Sequence, residues 1–177
     1  MKKVGIVGCG LMGSGIAQMS ALNGYTTIVV EINDEVLKKG MASIETFLEK
    51  GKQRGKVTDE QIAAVKKNLS TSTQMTALKD CDIVVEAVTE NTELKKKVFK
   101  QLSDIVRDDC ILATNTSSIS VTELATVVKN PERMVGMHFF NPVPIMKLVE
   151  IIKGLATTDA VVAASREYAL SLGKEPI

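Results

Sequence analysis

With 177 residues and a mass of 19.1 kDa, the chain has room for one globular domain and little more. Hydrophobic residues at 45% and charged residues at 24% exclude a disordered chain, and 22 Lys+Arg against 21 Asp+Glu leave a formal net charge of +1, too small a field to gather nucleic acid. Aromatic residues make up 3% with no Trp, so base-stacking platforms are scarce as well.

Cys9, Cys81 and Cys110 are too few and too scattered for a disulfide framework or a CxxC metal site. No signal-peptide pattern opens the chain, and no apolar run approaches the ~20 residues a membrane span requires. The expectation is a reducing, cytoplasmic setting with no metal, no membrane and no nucleic-acid partner.

Strand and helix signals alternate along the chain. Val4-Gly5-Ile6-Val7 predicts a short strand closed by Gly8, Gly10 and Gly13, and residues 11–22 turn helical before the Asn23-Gly24 stop. A β-branched strand follows over 26–30, ending at Glu31. Val36, Leu37, Met41, Ile44, Phe47 and Leu48 then recur at helical spacing. A basic stretch holds Lys50, Lys52, Arg54 and Lys56, and Thr58-Asp59-Glu60-Gln61 forms a capping-box pattern before a helix with Ile62, Val65 and Leu69 on one face. Ile83-Val84-Val85 is an apolar strand ending at Glu86; a helix with Leu94, Val98, Leu102 and Ile105 comes next. A strand at 111–113, the Asn115-Thr116-Ser117-Ser118 segment and a helix opened by Ser120 follow. Two strands at 134–138 and 147–152, a helix over about 158–172 and an abrupt stop at Glu175-Pro176-Ile177 complete the pass. The pattern predicts a doubly wound, mostly parallel α/β sheet of Rossmann type, with a helical hairpin inserted after the second strand.

Gly8-Cys9-Gly10-Leu11-Met12-Gly13 has the spacing G-x-G-x-x-G. Alone it is a weak signal, but here it closes a predicted strand and opens a predicted helix. The first glycine allows the tight turn, the second lets a pyrophosphate approach the backbone, and the third lets helix pack on strand. The helix N-terminus supplies N–H donors to the phosphates. Glu31, ending the second strand, is placed to accept from the adenosine ribose hydroxyls; it would repel a 2′-phosphate, and no Arg follows it closely, so NAD is favoured over NADP. Cys9 reads as a small residue in a crowded turn.

His138 is the sole histidine and ends a predicted strand, where open α/β sheets place their ligands. Glu150 lies on the next strand, across a loop containing Pro142 and Pro144. A neutral imidazole takes a proton from a hydroxyl, and a neighbouring carboxylate fixes its tautomer. Periodicity alone equally allows a packed core histidine, whereas a carboxylate inside Leu148-Val149-Glu150-Ile151-Ile152 needs a partner.

The glycine motif continued through Ser14-Gly15-Ile16-Ala17, the Asn115–Ser118 stretch and the whole run from His138 to Glu150 resemble the L-3-hydroxyacyl-CoA dehydrogenase family, from the first strand to the last residues. The resemblance implies an NAD-dependent oxidoreductase interconverting (S)-3-hydroxybutyryl-CoA, or 3-hydroxyacyl-CoA generally, and acetoacetyl-CoA. It implies His138 as general acid/base, Glu150 as its paired carboxylate and Ser117 as the contact to the substrate's oxygen beside the nicotinamide. Leu11 and Met12 with the glycines, Glu31, Glu90, Lys95, Asn115, Ser117 and Asn141 then match positions lining the cofactor. Lys50 and Arg54 lie where the family's helical hairpin meets the CoA phosphates; a solvated, lysine-rich helix end is the alternative there. Lys95 reads equally as a surface lysine in a first helical turn, and Ser117 as a loop-capping serine.

The resemblance also implies that residues 1–177 are the NAD-binding domain alone, without the family's C-terminal helical domain, which closes the cleft and forms the dimer interface. The parent is then expected to be a homodimer or higher homo-oligomer, and this chain weakly active or inactive by itself. A non-catalytic dinucleotide-binding module is the rival from another class; it would keep the glycine loop and Glu31 but have no need of His138 with Glu150. Another β-hydroxy-acid dehydrogenase on the same fold would carry a lysine where this chain has His138.

Overall fold

A computed structural model describes residues 1–177. Its element order is β1 (Lys3–Val7), α1 (Leu11–Leu22), β2 (Thr26–Val30), α2 (Asp34–Gln53), α3 (Asp59–Asn68), β3 (Leu69–Ser72), β4 (Ile83–Glu86), α4 (Thr92–Ile105), β5 (Ile111–Thr114), α5 (Val121–Ala125), β6 (Met134–Phe139), β7 (Leu148–Ile152), α6 (Asp159–Ser171) and β8 (Glu175–Pro176). The strands form one eight-stranded sheet in the order β3-β2-β1-β4-β5-β6-β7-β8. The first six run parallel, β7 returns antiparallel to β6, and β8 pairs parallel with β7. The fold is therefore the doubly wound Rossmann arrangement, whose crevice opens where strand order reverses, between β1 and β4.

Strand alternation builds two cores from one sheet. Ile6, Val29, Ile83, Val85, Met137 and Phe139 face the layer of α1 and α6, where they meet Ile16 and Tyr168. Val84, Leu112 and Met134 face the opposite layer, against Phe99, Leu102 and Leu124. Consecutive strand residues point to opposite faces, so an all-apolar strand such as Ile83-Val84-Val85 needs helices on both. The α2–α3 hairpin packs on α1 through the small cluster Ala21, Ile44, Leu48 and Val65. Its turn carries the expected capping box, with Thr58 and Gln61 each satisfying the other's backbone N–H.

Two expectations are corrected. Leu69 does not continue the helical face of Ile62 and Val65; it opens β3, an edge strand pairing Leu69 with Thr27 through Ser72 with Val30. Helical spacing suited Leu69, and the polar Ser70-Thr71-Ser72 that follows carries no apolar alternation because an edge strand is largely exposed. The last residues do not simply stop: Glu175 and Pro176 add an edge strand, where a proline's missing N–H costs nothing. The helix opened by Ser120 is a short one, Val121–Ala125.

Candidate active site

The C-terminal end of β1 is shaped by what its glycines lack. Gly8 turns the chain with φ +98°, a conformation that L side chains avoid, and a Cβ on Gly13 would sit 1.9 Å from the Gly8 carbonyl oxygen. A Cβ on Gly10 would meet nothing within 4 Å, so its surroundings are open space at the mouth of α1. That helix starts with neither a side-chain cap nor an acidic residue in its first turn, whereas α2 is capped by Asn33 and opens on Asp34 and Glu35. Its first N–H groups have no intrahelical acceptor, and no residue of the helix itself offsets its positive end. The residues present fit a dinucleotide pyrophosphate.

Glu31 stands beside this loop, its carboxylate accepting from the Cys9 N–H at 3.1 Å and the Ile32 N–H at 2.9 Å. With Gly8, Gly10, Ile32, Val88 and Leu94 it lines a cavity of about 300 Å³. Cys9 is buried, which, aided by the Glu31 charge, pushes its thiol up to about 11, so it holds no thiolate at neutral pH.

The neighbouring strand ends in charge. Glu86 lies opposite Val7 in the sheet and is fully buried. Its carboxylate accepts from Lys95 Nζ at 2.6 Å, the Val88 N–H at 2.7 Å and Thr114 Oγ1 at 2.7 Å. Lys95 is 1% exposed, so it is not a surface lysine of the first turn of α4; its ammonium also reaches Glu90 Oε2 at 3.4 Å. Glu90 in turn accepts from Thr116 Oγ1 and from Ser118 Oγ. Partial burial works against the Glu90 charge, but Thr116, Lys95 and Ser118 outweigh it and hold the carboxyl below its ordinary range. Glu86, Thr114 and Thr116 escaped sequence reasoning. The available signal was the one used for Glu150, a carboxylate in an apolar strand that must find a partner.

Further across the sheet, β6 and β7 bring His138 and Glu150 into direct register. His138 Nδ1 and Glu150 Oε2 are 2.7 Å apart, with the imidazole 18% exposed. A carboxylate at Nδ1 favours the proton there, so in the neutral ring Nε2 is the nitrogen left with a lone pair. The Phe140 ring lies against the imidazole, centroids 4.5 Å apart. Asn115 ties this strand to its neighbours, accepting from the Phe139 N–H at 2.9 Å while its own N–H donates to the Glu86 carbonyl. A cavity of about 350 Å³ collects Met12, Glu90, Lys95, Asn115, Ser117, His138 and Asn141.

Thus ten of the fifteen residues singled out in the sequence line one of two cavities that share Ala87 and Val88; Glu150 lines neither and reaches the second through His138, and Gly13 is buried behind the glycine turn. Leu11 is exposed at the start of α1. Lys50 and Arg54 stand apart, exposed at the C-terminal end of α2, and neither lines the His138 cavity. Lys50 borders a separate shallow depression with Ser43, Thr46 and Phe47.

An uncapped helix behind a glycine turn, the Glu31 carboxylate beside it and a His–Glu pair at the strand ends fit a dinucleotide-binding domain. Residues 3–177 match the family model described as "3-hydroxyacyl-CoA dehydrogenase, NAD binding domain". The chain belongs to that family, and NAD is its dinucleotide. It is 46% identical over 177 residues to the fatty acid oxidation complex subunit alpha of Idiomarina loihiensis, covering 100% of this chain and 25% of that protein. It is 41% identical over 175 residues to 3-hydroxybutyryl-CoA dehydrogenase of Bradyrhizobium diazoefficiens, covering 99% of this chain and 60% of the relative. The crystal structure of (S)-3-hydroxybutyryl-CoA dehydrogenase from Ralstonia eutropha superposes with a TM-score of 0.98 at 46% identity, over 100% of this chain and 62% of that one. The chain therefore spans from a quarter to about three fifths of the length of these relatives. No helix is long and apolar enough to cross a membrane.

Proposed function

We propose that this chain is the cofactor-binding part of a 3-hydroxybutyryl-CoA dehydrogenase, interconverting (S)-3-hydroxybutyryl-CoA and acetoacetyl-CoA. The observation that carries the reading is the 2.7 Å pairing of Glu150 with His138, which lines the cavity that also holds Ser117, Asn115 and Asn141. Bound NAD supplies the hydride acceptor, and its reduced form the donor in the reverse direction. Gly8, Gly10 and Gly13 with the N–H groups of Leu11 and Met12 hold the pyrophosphate, and Glu31 the adenosine ribose. Glu90, Lys95 and Asn141 hold the nicotinamide end.

His138 Nε2 takes the proton of the 3-hydroxyl, and Glu150 stabilises the imidazolium that forms. The Ser117 hydroxyl, exposed at the cavity wall, donates to the oxygen on C3 as its charge develops. Lys50 and Arg54 meet the CoA phosphates from the hairpin. A helical domain of the kind the family resemblance implies would close the cleft and carry a homodimer or larger interface, and the enzyme would work in the cytoplasm.

The test is a single-turnover assay with this chain in excess over acetoacetyl-CoA, following loss of NADH absorbance. His138→Gln should slow the oxidation by about 10²–10⁴-fold, the usual worth of a positioned general acid. NADH binding without any oxidation by the unmodified chain would leave the activity unproved for the parent and make these 177 residues, by themselves, a binding module.

A further inference from the structure

Lys174 has no part in the roles above. It follows α6, where Gly173 turns the chain with φ +72°, and its side chain runs back into the interior, leaving the residue 4% exposed. Its ammonium donates to the carbonyl oxygens of Val143 and, at 2.8 Å, Met146. Burial alone pulls its pKa below the ordinary lysine value; no carboxylate opposes it. An unpaired ammonium in the interior costs free energy that an apolar side chain of equal length would not.

The cost is set against contacts with a single loop, the one joining β6 to β7. Its carbonyls lie beyond the sheet ladder and need donors, and an ammonium carries three on a flexible stem. Other contacts hold the same loop. The Pro142 carbonyl accepts from the N–H groups of Ile145 and Met146, both at 2.9 Å, and the Lys147 carbonyl accepts from the Glu175 N–H at 2.9 Å. On the α1 side the fit is tight enough that a Cβ on Gly15 would come within 2.8 Å of Val143 Cβ. Phe140 and Asn141, on the wall of the His138 cavity, begin this loop, and β7 with Glu150 leaves it.

We propose that Lys174 is a positioning residue: by holding the Val143 and Met146 carbonyls it fixes the loop, and through the loop it sets Asn141 and the His138–Glu150 register for dinucleotide binding. The proposal rests on reading the His138 cavity as the nicotinamide site.

Lys174→Met keeps the apolar stem and removes the donors. Three measurements on the 177-residue chain test it: amide hydrogen exchange, NADH titration by fluorescence, and the ring proton signals of His138, unambiguous because it is the only histidine. Exchange at the Ile145 and Met146 amides should accelerate by at least about tenfold, the effect of losing hydrogen bonds to a charged donor, while β1 and β4 keep their protection. NADH affinity should fall by about three- to tenfold, and the His138 signals should shift.

Unchanged loop exchange, or acceleration spread over the whole sheet, overturns the proposal. So does loop acceleration with NADH affinity and His138 signals unchanged, which would leave a purely structural lysine. Failure of the unmodified chain to bind NADH overturns the nicotinamide-site reading instead, and that arm is separate from the exchange data. Should Lys174→Met not fold, Lys174→Gln, which is uncharged and carries its N–H donors on a shorter side chain, must show the same changes in smaller size.

Discussion

Val7 and Glu86 face each other across adjacent strands, yet the chain leaves the sheet from them in opposite ways. After Val7 comes a loop of glycines that presents backbone N–H groups, with the Glu31 carboxylate beside it on the Cys9 N–H. Glu86 is itself a buried carboxylate, locked to Lys95 and Thr114, with Glu90, Thr116 and Ser118 extending the network to the cavity wall. The first side offers an anion the partial charges of backbone N–H groups at the start of α1. The second holds full charges that must neutralise one another at all times, ligand or not. One side is therefore sensitive to atoms added, the other to atoms removed.

Removal is the larger test. Glu86→Ala should destabilise the domain by about 3–5 kcal/mol, because it strips Lys95 of its nearest counter-ion inside the protein. The converse sharpens the point. Glu86→Leu combined with Lys95→Met removes both charges, and most of the lost stability should return while NADH affinity stays low. Chemical denaturation with a parallel NADH titration reads both. Full recovery of affinity in the double variant would mean that the network serves folding alone.

Addition should separate two neighbouring glycines. Gly13→Ala places a Cβ 1.9 Å from a backbone oxygen, so the loop must move, at about 1–3 kcal/mol of stability and with loss of NADH binding. Gly10→Ala meets no protein atom within 4 Å. It should leave the thermal midpoint within the change an exposed substitution makes, about ±0.5 kcal/mol, while weakening NADH binding by about tenfold or more. Equal effects of the two on stability would contradict the view that the space at Gly10 is reserved for a ligand.

The two sides also differ in how far the sequence discloses them. The glycine loop is legible because its chemistry is local: three glycines at fixed spacing, flanked by a strand and a helix, specify a turn and a helix end that a pyrophosphate fits. The His138–Glu150 pair is half legible. The sequence proposes two residues on successive strands, but only the antiparallel pairing of β6 with β7 puts them in register. Lys95 is legible only through the family resemblance, because by spacing alone a lysine in the first turn of an amphipathic helix belongs to solvent unless something beneath it is charged. That something, Glu86, is a strand residue nine positions earlier. Lys174 repeats the lesson from further away, since its partners lie 31 and 28 positions back and are carbonyls that carry no sequence signature. The strand β3 fails for a different reason: exposed edge residues escape the burial that produces alternation.

The smallest effect lies at the far end of the sheet, where charge is built at the surface and carries no site. Asp82 accepts from the N–H groups of Lys2 and Lys3 and from Arg107 at 2.9 Å. Partial burial works to raise its pKa, but those N–H groups and the guanidinium outweigh it and take the carboxyl down to about 2 from an ordinary 3.8. A carboxyl depressed in the folded state stabilises the fold above its unfolded pKa and loses that contribution as pH falls toward the folded value. Exposure screens the interaction and keeps it to ~1 kcal/mol or less. Asp82→Asn should therefore melt no more than about 2–4 °C below the unmodified chain at about pH 6, with the gap closing between about pH 4 and pH 2. A gap that persisted at the acid end would assign the loss to the geometry of the hydrogen bonds rather than to the charge. In that event the contrast drawn for Glu86, where charge itself is the vulnerable quantity, would hold for the interior only.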